Sequence, residues 1–337
     1  MVTLSPRVTR LRANNPSPLT LDGTNGYVVR IGPRELVAID PGPVDDRQRD
    51  AFLAAARDAD ATYAAILVTH GHPDHYPGAA PLAAATGAPV YAHPSARFPH
   101  DRALADGERL TFGDDERRGS AGRARGAALT VLHGPGHAPD HLVFVLEDER
   151  ALFTGDIVLG TGTVVVAPPS GDMRAYQRTL QRLRDEHGDA SAIYGGHGPE
   201  VRDVRAKLDE YIAHREARER AILAALGPEG AAPAEGVTIP AIVERVYAAV
   251  DRRLWPAAAR QVLAHLIALE REGRVRAEPL GREPTAAEAA LLNPDLSRLG
   301  DDLGADVIRA ELGYATREPL LRYFLPSDDA PRTRGKW

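Results

Sequence analysis

The feature that most constrains this chain is a loop of seven residues, Thr69 to His75, with the sequence Thr-His-Gly-His-Pro-Asp-His. It follows directly on the apolar run Ala64 to Val68, which is typical of a buried strand. Neutral imidazole and carboxylate groups are the ligands that suit zinc and similar divalent ions. Grouping three histidines and an aspartate at the end of a buried strand is costly without a partner. The pattern therefore favours a metal-binding loop over a solvated, histidine-rich one.

The composition narrows both the ligand types and the class of function. At 337 residues the chain exceeds one average domain, which predicts two. It contains no cysteine, so any metal must be held by His, Asp or Glu. A formal net charge of −6 argues against a surface generally coated with nucleic acid. Because the sequence has neither a signal-peptide core nor an apolar run of about 20 residues, we expect a cytoplasmic enzyme with no membrane partner.

Predicted strands and helices alternate along the first 200 residues. The stretch 1–20, punctuated by proline and asparagine, is interpreted as an irregular lead-in. A glycine-rich, charged stretch over 113–126 predicts a mobile surface loop. The alternation favours an α/β layered architecture. The predicted strands are 25–32, 35–40, 64–68, 89–93, 109–112 and 128–133, and the predicted helices are 45–59, 78–86 and 172–187.

Three later stretches repeat the pattern of an apolar strand that delivers a polar residue at its end. These residues are His137, Asp156 and His197, and each has a glycine beside it. Glycine permits tight turns and a close approach of the backbone. Loops at strand ends are where a rigid scaffold usually carries its chemistry. The three residues are therefore candidate partners of the loop 69–75.

In this order, the His-x-His-x-Asp-His loop, the Gly-His turn, the Thr-Gly-Asp strand end and the Gly-His-Gly strand end resemble the metallo-β-lactamase superfamily. The resemblance covers about residues 20–200 and fills all seven ligand positions. It implies an α/β fold, an αβ/βα sandwich of two sheets with helices outside. It also implies two metal sites, one held by His70, His72 and His137, the other by Asp74, His75 and His197, with Asp156 bridging both.

The resemblance implies a hydrolase with two divalent ions, most often Zn²⁺, although Fe and Mn accept the same ligands. Two such ions lower the pKa of a shared water, so that a bridging hydroxide can attack an acyl or phosphoryl group. Asp74 is the candidate catalytic residue, since it would orient this hydroxide as well as bind metal. Asp40 and His141 are expected to support the ligands from outside, although a simple turn-forming role for Asp40 stays open.

The C-terminal part predicts a second module. We divide the chain into a catalytic domain over 1–200, a winged-helix-like domain over 201–280 and a helical extension over 281–337. Three helices followed by a basic strand are typical of a winged helix. The combination resembles the β-lactamase-like protein 2 family. Because the presumed recognition helix 256–272 carries few cations, a helical cap that packs on the sandwich is favoured over nucleic-acid binding.

In the other C-terminal segments, a linker is expected over 227–236, and helices over 301–312 and 318–324.

Three functions remain in competition at this point. The leading hypothesis is hydrolysis of a thioester or ester of a small acyl substrate. The first alternative is a metal-dependent endoribonuclease for single-stranded RNA, since related family members include one. The second is a metal-bound scaffold without turnover. The C-terminal extension could also support a homodimer.

Overall fold

A computed structural model of the chain describes residues 1–112, 126–227, 236–292 and 321–325. The predicted loop over 113–126, the linker over 227–236 and the helix over 301–312 lie mostly or wholly outside the described residues. In the described part of the chain, no helix is both long and apolar enough to cross a bilayer.

The first sheet has seven strands that follow one another in sequence order, β1 to β7. Neighbours from β1 to β4 run antiparallel, and neighbours from β4 to β7 run parallel. Parallel strands need crossover connections, which the helices after β4 and β5 provide. The strands are β1 Val2–Thr3, β2 Val8–Arg12, β3 Asn25–Gly32, β4 Glu35–Ile39, β5 Thr62–Leu67, β6 Val90–Ala92 and β7 Arg102–Ala103.

The second sheet has five strands in the order β12-β11-β10-β9-β8. Its neighbours are antiparallel except for β11 and β12, which run parallel. The two sheets face each other across a core that contains Val37, Leu67, Phe144 and Phe153, all almost fully buried. The strands are β8 Arg109–Leu110, β9 Leu129–His133, β10 Leu142–Leu146, β11 Ala151–Gly155 and β12 Ala192–Gly195.

Helices cover the outer face of each sheet. On the first sheet α1 (Asp46–Asp58) and α2 (Ala79–Thr86) bury Phe52 and Leu82. On the second sheet α3 (Met173–His187) and α4 (Val204–Ala225) bury apolar side chains in the same way. The predicted αβ/βα sandwich is therefore confirmed.

The C-terminal segment builds a smaller domain with its own core. Its three-stranded sheet has the order β13-β15-β14, and the last turn of α4 adds Ile222 to its core. The predicted winged-helix architecture is confirmed. The elements are β13 Val237–Thr238, α5 Ile239–Val246, α6 Trp255–Arg271, β14 Arg276–Pro279, α7 Ala286–Leu292 and β15 Leu321–Phe324.

Two predictions of secondary structure are wrong. The helix expected over 318–324 is a strand where it is described, because β15 pairs with β13 and β14. The lead-in 1–20 is only partly irregular, since it contributes the edge strands β1 and β2. The domain boundaries at 200 and 280 stay predictions, although β15, which lies beyond residue 280, belongs to the winged-helix sheet.

Candidate metal centre

The seven predicted ligands come together at the carboxyl ends of strands from both sheets. The loop 70–75 follows β5, His137 follows β9, Asp156 follows β11, and His197 lies two residues after β12. Because β11 and β12 are parallel neighbours, the residues after them emerge at the same edge. Six of the seven side chains are buried and His72 is half-buried.

Three imidazoles form a first group. The Nδ1 atom of His72 lies 3.0 Å from Nε2 of His70 and 2.9 Å from Nε2 of His137. His137 donates from Nδ1 to the carbonyl oxygen of Val165 at 2.9 Å, so Nε2 of a neutral His137 carries a lone pair. Tetrahedral zinc with Zn–N bonds of about 2.0–2.1 Å holds its nitrogens only slightly farther apart, at about 3.4 Å. The group is therefore arranged as a cation would require.

Asp74, His75 and His197 form a second group. The Oδ2 atom of Asp74 lies 3.3 Å from the Nε2 atoms of both histidines. Asp156 lies between the groups: its Oδ1 is 3.5 Å from His75 Nε2, and its Oδ2 is 3.3 Å from His197 Nε2 and 3.8 Å from His137 Nε2. The carboxylate of Asp156 thus faces both groups, as a bridging ligand would.

Several polar atoms at the centre are buried without a hydrogen-bond partner in the described chain. They are Oδ1 of Asp74, Nε2 of His75 and Oδ1 of Asp156. Unpaired buried polar atoms are rare and cost about 1–3 kcal/mol each. Gly196 keeps this space open, since an added Cβ would lie 2.2 Å from Oδ1 of Asp156. The candidate ligand atoms are all nitrogen or oxygen, and these three have no hydrogen-bond partner in the described chain. Such a set of donors fits a divalent metal ion.

Asp40 and His141 lie directly behind the ligands. The carboxylate of Asp40 accepts from His75 Nδ1 at 2.8 Å, from Thr69 Oγ1 at 2.7 Å and from Thr69 N at 2.8 Å. His141 is stacked on His70 with ring centroids 4.6 Å apart, and its Nε2 accepts from the backbone N–H of Asp156 at 3.1 Å. Both residues contact candidate ligands, so both can fix ligand orientation.

Several other contacts that orient the ligands lie outside the predicted set of site residues. Thr24 donates from Oγ1 to Oδ2 of Asp74 at 2.8 Å. The hydroxyl of Thr69 donates to Asp40, so it accepts from His70 Nδ1 at 2.9 Å. A backbone carbonyl, that of Gly23, accepts from His197 Nδ1 at 3.3 Å. Only Thr69 could have been found from sequence, because it adjoins the histidine loop.

Burial and charge displace the pKa values of the candidate ligands in opposite directions. Burial, followed by the neighbouring His137, lowers the pKa of His72 to about 3. Burial opposes protonation of His197 and His75 as well, but the carboxylates of Asp74 and Asp156 outweigh it and raise both pKa values, that of His197 to about 10. Such a cluster of strongly perturbed groups in one place is typical of a functional site.

The sandwich fold with a histidine and aspartate cluster at its strand ends defines a class of metallohydrolases. Residues 19–197 match the family described as the Metallo-beta-lactamase superfamily, and residues 238–282 match the Beta-lactamase associated winged helix domain. The chain belongs to the metallo-β-lactamase superfamily and is a hydrolase.

Individual relatives resemble most of the chain. A Beta-lactamase-like protein 2 homolog of Drosophila melanogaster is 33% identical over 82% of this chain and 94% of its own length. An Atrochrysone carboxyl ACP thioesterase of Aspergillus chevalieri is 34% identical over 73% of this chain and 75% of its own length. A metallo-beta-lactamase family protein of Thermus thermophilus superimposes with a TM-score of 0.63 at 25% identity, covering 82% of this chain and 97% of its own.

Proposed function

We propose that this protein is a two-metal hydrolase that cleaves a thioester or ester of a small acyl substrate. The observation that carries the proposal is the convergence of seven candidate ligands into three overlapping groups, in each of which the ligand atoms lie within 4.8 Å of one another. His70, His72 and His137 would hold one ion, and Asp74, His75 and His197 the other. Asp156 would contact both. Zn²⁺ is the expected metal, with Fe and Mn as alternatives.

The bound metals would supply a water of lowered pKa and an electrophile for the acyl oxygen. Asp74 is placed to orient the attacking water, because Thr24 donates to its Oδ2 while Oδ1 is buried without a hydrogen-bond partner in the described chain. Oδ1 would accept a proton from that water. The new C–O bond would form and the C–S bond would break, with its electron pair leaving on sulfur as a thiolate. The proton on Asp74 would then pass to the thiolate and the second proton of the water to solvent, which yields a carboxylate and a thiol.

A thioester is favoured for two reasons. A thiol has a pKa near 8.5, so its thiolate leaves without strong help from a general acid. Relatives that match this chain include proteins named as acyl-carrier thioesterases. These names support the substrate class by similarity.

The packing of α6 counts against the competing prediction of RNA cleavage. In this presumed recognition helix Arg260 is 4% exposed, and Arg271 pairs with Asp172 on the sandwich at 2.9 Å. Arg260 is thus buried in the protein, and the charge of Arg271, whose side chain is 68% exposed, is paired with a carboxylate, so this helix offers little unpaired positive charge to a phosphate backbone. The helix packs on the second sheet's helices through Ala264 and Ala268, as the helical-cap interpretation expects.

The test is a panel of thioesters, lactones and single-stranded RNA offered to protein loaded with each metal in turn, with elemental analysis of the purified chain. We expect thioester hydrolysis, and near-total loss of it in His72→Ala. Cleavage of RNA with affinity that falls steeply with salt would transfer the assignment to the nuclease. The absence of turnover of every substrate by metal-loaded protein, with His72→Ala indistinguishable from the wild type, would support the scaffold interpretation. Size-exclusion chromatography with light scattering tests the predicted homodimer, and cell fractionation tests the cytoplasmic location.

A further inference from the structure

An irregular, partly buried segment connects β11 to α3. It leaves β11 at Asp156 and reaches α3 at Met173, and its middle residues Val164 and Val166 are 3% and 0% exposed. No regular secondary structure is assigned over 164–167. Buried backbone groups outside a helix or sheet need partners from elsewhere in the protein. Here those partners come from the C-terminal helices.

Gln261 on α6 makes a two-point contact with this segment. Its Nε2 donates to the carbonyl oxygen of Val164 at 3.0 Å, and its Oε1 accepts from the backbone N–H of Val166 at 3.0 Å. Arg215 on α4 donates from Nη2 to the same Val164 oxygen at 2.7 Å. Gln261 is 7% exposed and Arg215 is 1% exposed, so both contacts are shielded from water.

The peptide between these two contacts holds a candidate metal ligand. The carbonyl oxygen of Val165 accepts from Nδ1 of His137 at 2.9 Å, which turns Nε2 of His137 toward His72. Two hydrogen bonds from one side-chain amide, to Val164 and to Val166, fix both the position and the orientation of the peptide backbone between these residues. The direction of the Val165 carbonyl therefore depends on Gln261, and the ring of His137 depends on that carbonyl.

We propose that Gln261 of the winged-helix domain is a positioning residue for His137, so that this domain forms part of the metal-binding machinery. The proposal rests on the proposed function, since it takes His137 as a metal ligand. It assigns the winged helix a role that needs no nucleic acid. The path runs from Gln261 through the Val164–Val166 backbone to His137, and it contains four hydrogen bonds when that of Arg215 is included.

The first experiment uses Gln261→Met, which removes both hydrogen bonds at nearly constant side-chain volume. Cobalt(II) serves as the probe in the full-length protein, and both its absorption spectrum and its affinity in competition with a chelator are measured. We expect an altered spectrum and a loss of affinity of about tenfold, as is typical when the outer partner of a metal-bound histidine is disturbed. Glu272→Gln is the matched control, because Glu272 also joins α6 to α3, through Arg174, without contacting 164–166.

A double-mutant cycle separates positioning from general destabilisation. If Gln261 acts through His137, adding Gln261→Met to His137→Ala causes no further loss of cobalt affinity at the remaining ligands. Equal losses in both backgrounds would mean that the glutamine only stabilises the domain interface, and would overturn the proposal. A wild-type spectrum and affinity in Gln261→Met would overturn it as well.

Hydrogen exchange on the wild-type protein gives a test that does not depend on the folding of a variant. Since coupling between two sites is reciprocal, metal loading should slow exchange of the Val166 amide. The Val250 amide, which donates to Tyr247 within the winged-helix domain, is the internal control and should not change. No slowing at Val166 in protein that has bound metal would contradict the proposal. Protein that binds no metal, or an intact first site in His137→Ala, would instead contradict the proposed function.

Discussion

At the scale of single residues, Asp40 combines an unfavourable backbone conformation with a central position behind the ligands. Its φ of 48° lies in the left-handed region, which costs a residue other than glycine about 1–3 kcal/mol. Three hydrogen bonds to its carboxylate, from Thr69 and His75, offset that cost. Strain that persists beside a candidate site indicates that the geometry there is fixed by its surroundings.

Asp40→Asn is expected to weaken metal binding about 10- to 100-fold, as is typical for a partner of a metal-bound histidine. An amide offers one oxygen, so its NH₂ group would face a donor on Thr69 or His75. Calorimetric titration of the metal-free protein with zinc measures the change. Asp60→Asn is the control, since Asp60 has a similar φ of 46° but lies at the surface. Equal affinities of the two variants would show that Asp40 serves only the turn.

What the sequence predicts at this scale depends on residue type. His70, Asp74 and their partners stand out because imidazoles and carboxylates gather beside glycines at strand ends. Thr24 does not stand out, although it bonds Asp74, because the two lie 50 positions apart and threonine is common in any turn. The carbonyl of Val165 has no sequence signal at all, since every residue carries one.

At the scale of elements, the ends of β11 and β12 lie so close together that only glycine fits between their ligands. An alanine at position 196 would place Cβ 2.2 Å from Oδ1 of Asp156 and 2.7 Å from Cε1 of His75. Contacts this short between non-bonded atoms must displace one partner. Either the strand end or the ligands must therefore move.

Gly196→Ala is expected to reduce metal affinity about 100-fold or more while the protein remains folded. The reason is steric, since the φ of Gly196 is not in the left-handed region. Metal content after dialysis against a chelator gives the readout, and circular dichroism reports the fold. Gly87→Ala provides the comparison: Gly87 ends α2 with a φ of 72° and has no atom near its missing Cβ, so only stability should fall. Full metal content in Gly196→Ala would refute the expectation.

Strands and helices are predicted well from sequence when their apolar residues recur with a clear period or when residues typical of a helix or strand end mark their termini. Helix α1 begins after Asp45 and α2 ends at Gly87, which are ordinary helix start and stop signals. The sequence does not predict the strand β15, because a short apolar run does not distinguish a strand from a helix. Its strand character comes from pairing with β13 and β14, which lie far away in the sequence.

At the scale of the whole molecule, α4 belongs to both domains. Its first half places Leu208 and Tyr211 in the apolar cluster between the second sheet and the helices that cover it. Its end places Ile222 in the core of the winged-helix domain. The sequence predicts this helix and the change of composition around it. It does not predict the shared packing, because a helix pattern shows which face is apolar but not what covers it.

We therefore expect the segment 1–200 to be unable to fold stably by itself, in spite of its complete ligand set. Without α4 and α6 the apolar cluster on the outer face of the second sheet would lose the large side chains of Val204, Leu208 and Tyr211, each at most 2% exposed in the whole chain, and would be opened to water. Exposing a large apolar side chain costs about 1.5–3 kcal/mol, and a domain has only about 5–15 kcal/mol in reserve. Losing the burial that three such residues share with the sandwich removes much of that reserve before the loss of Arg215 and Gln261 is included.

The measurement is a thermal melt followed by circular dichroism, together with binding of a hydrophobic dye. The segment 1–200 should melt without a sharp transition and bind the dye, whereas the full chain should melt in a sharp transition and bind little dye. A sharp transition and full zinc binding in 1–200 would show that the sandwich is self-sufficient. It would also show that the metal centre does not depend on the winged-helix domain, since Gln261 would then be dispensable for holding His137 in place.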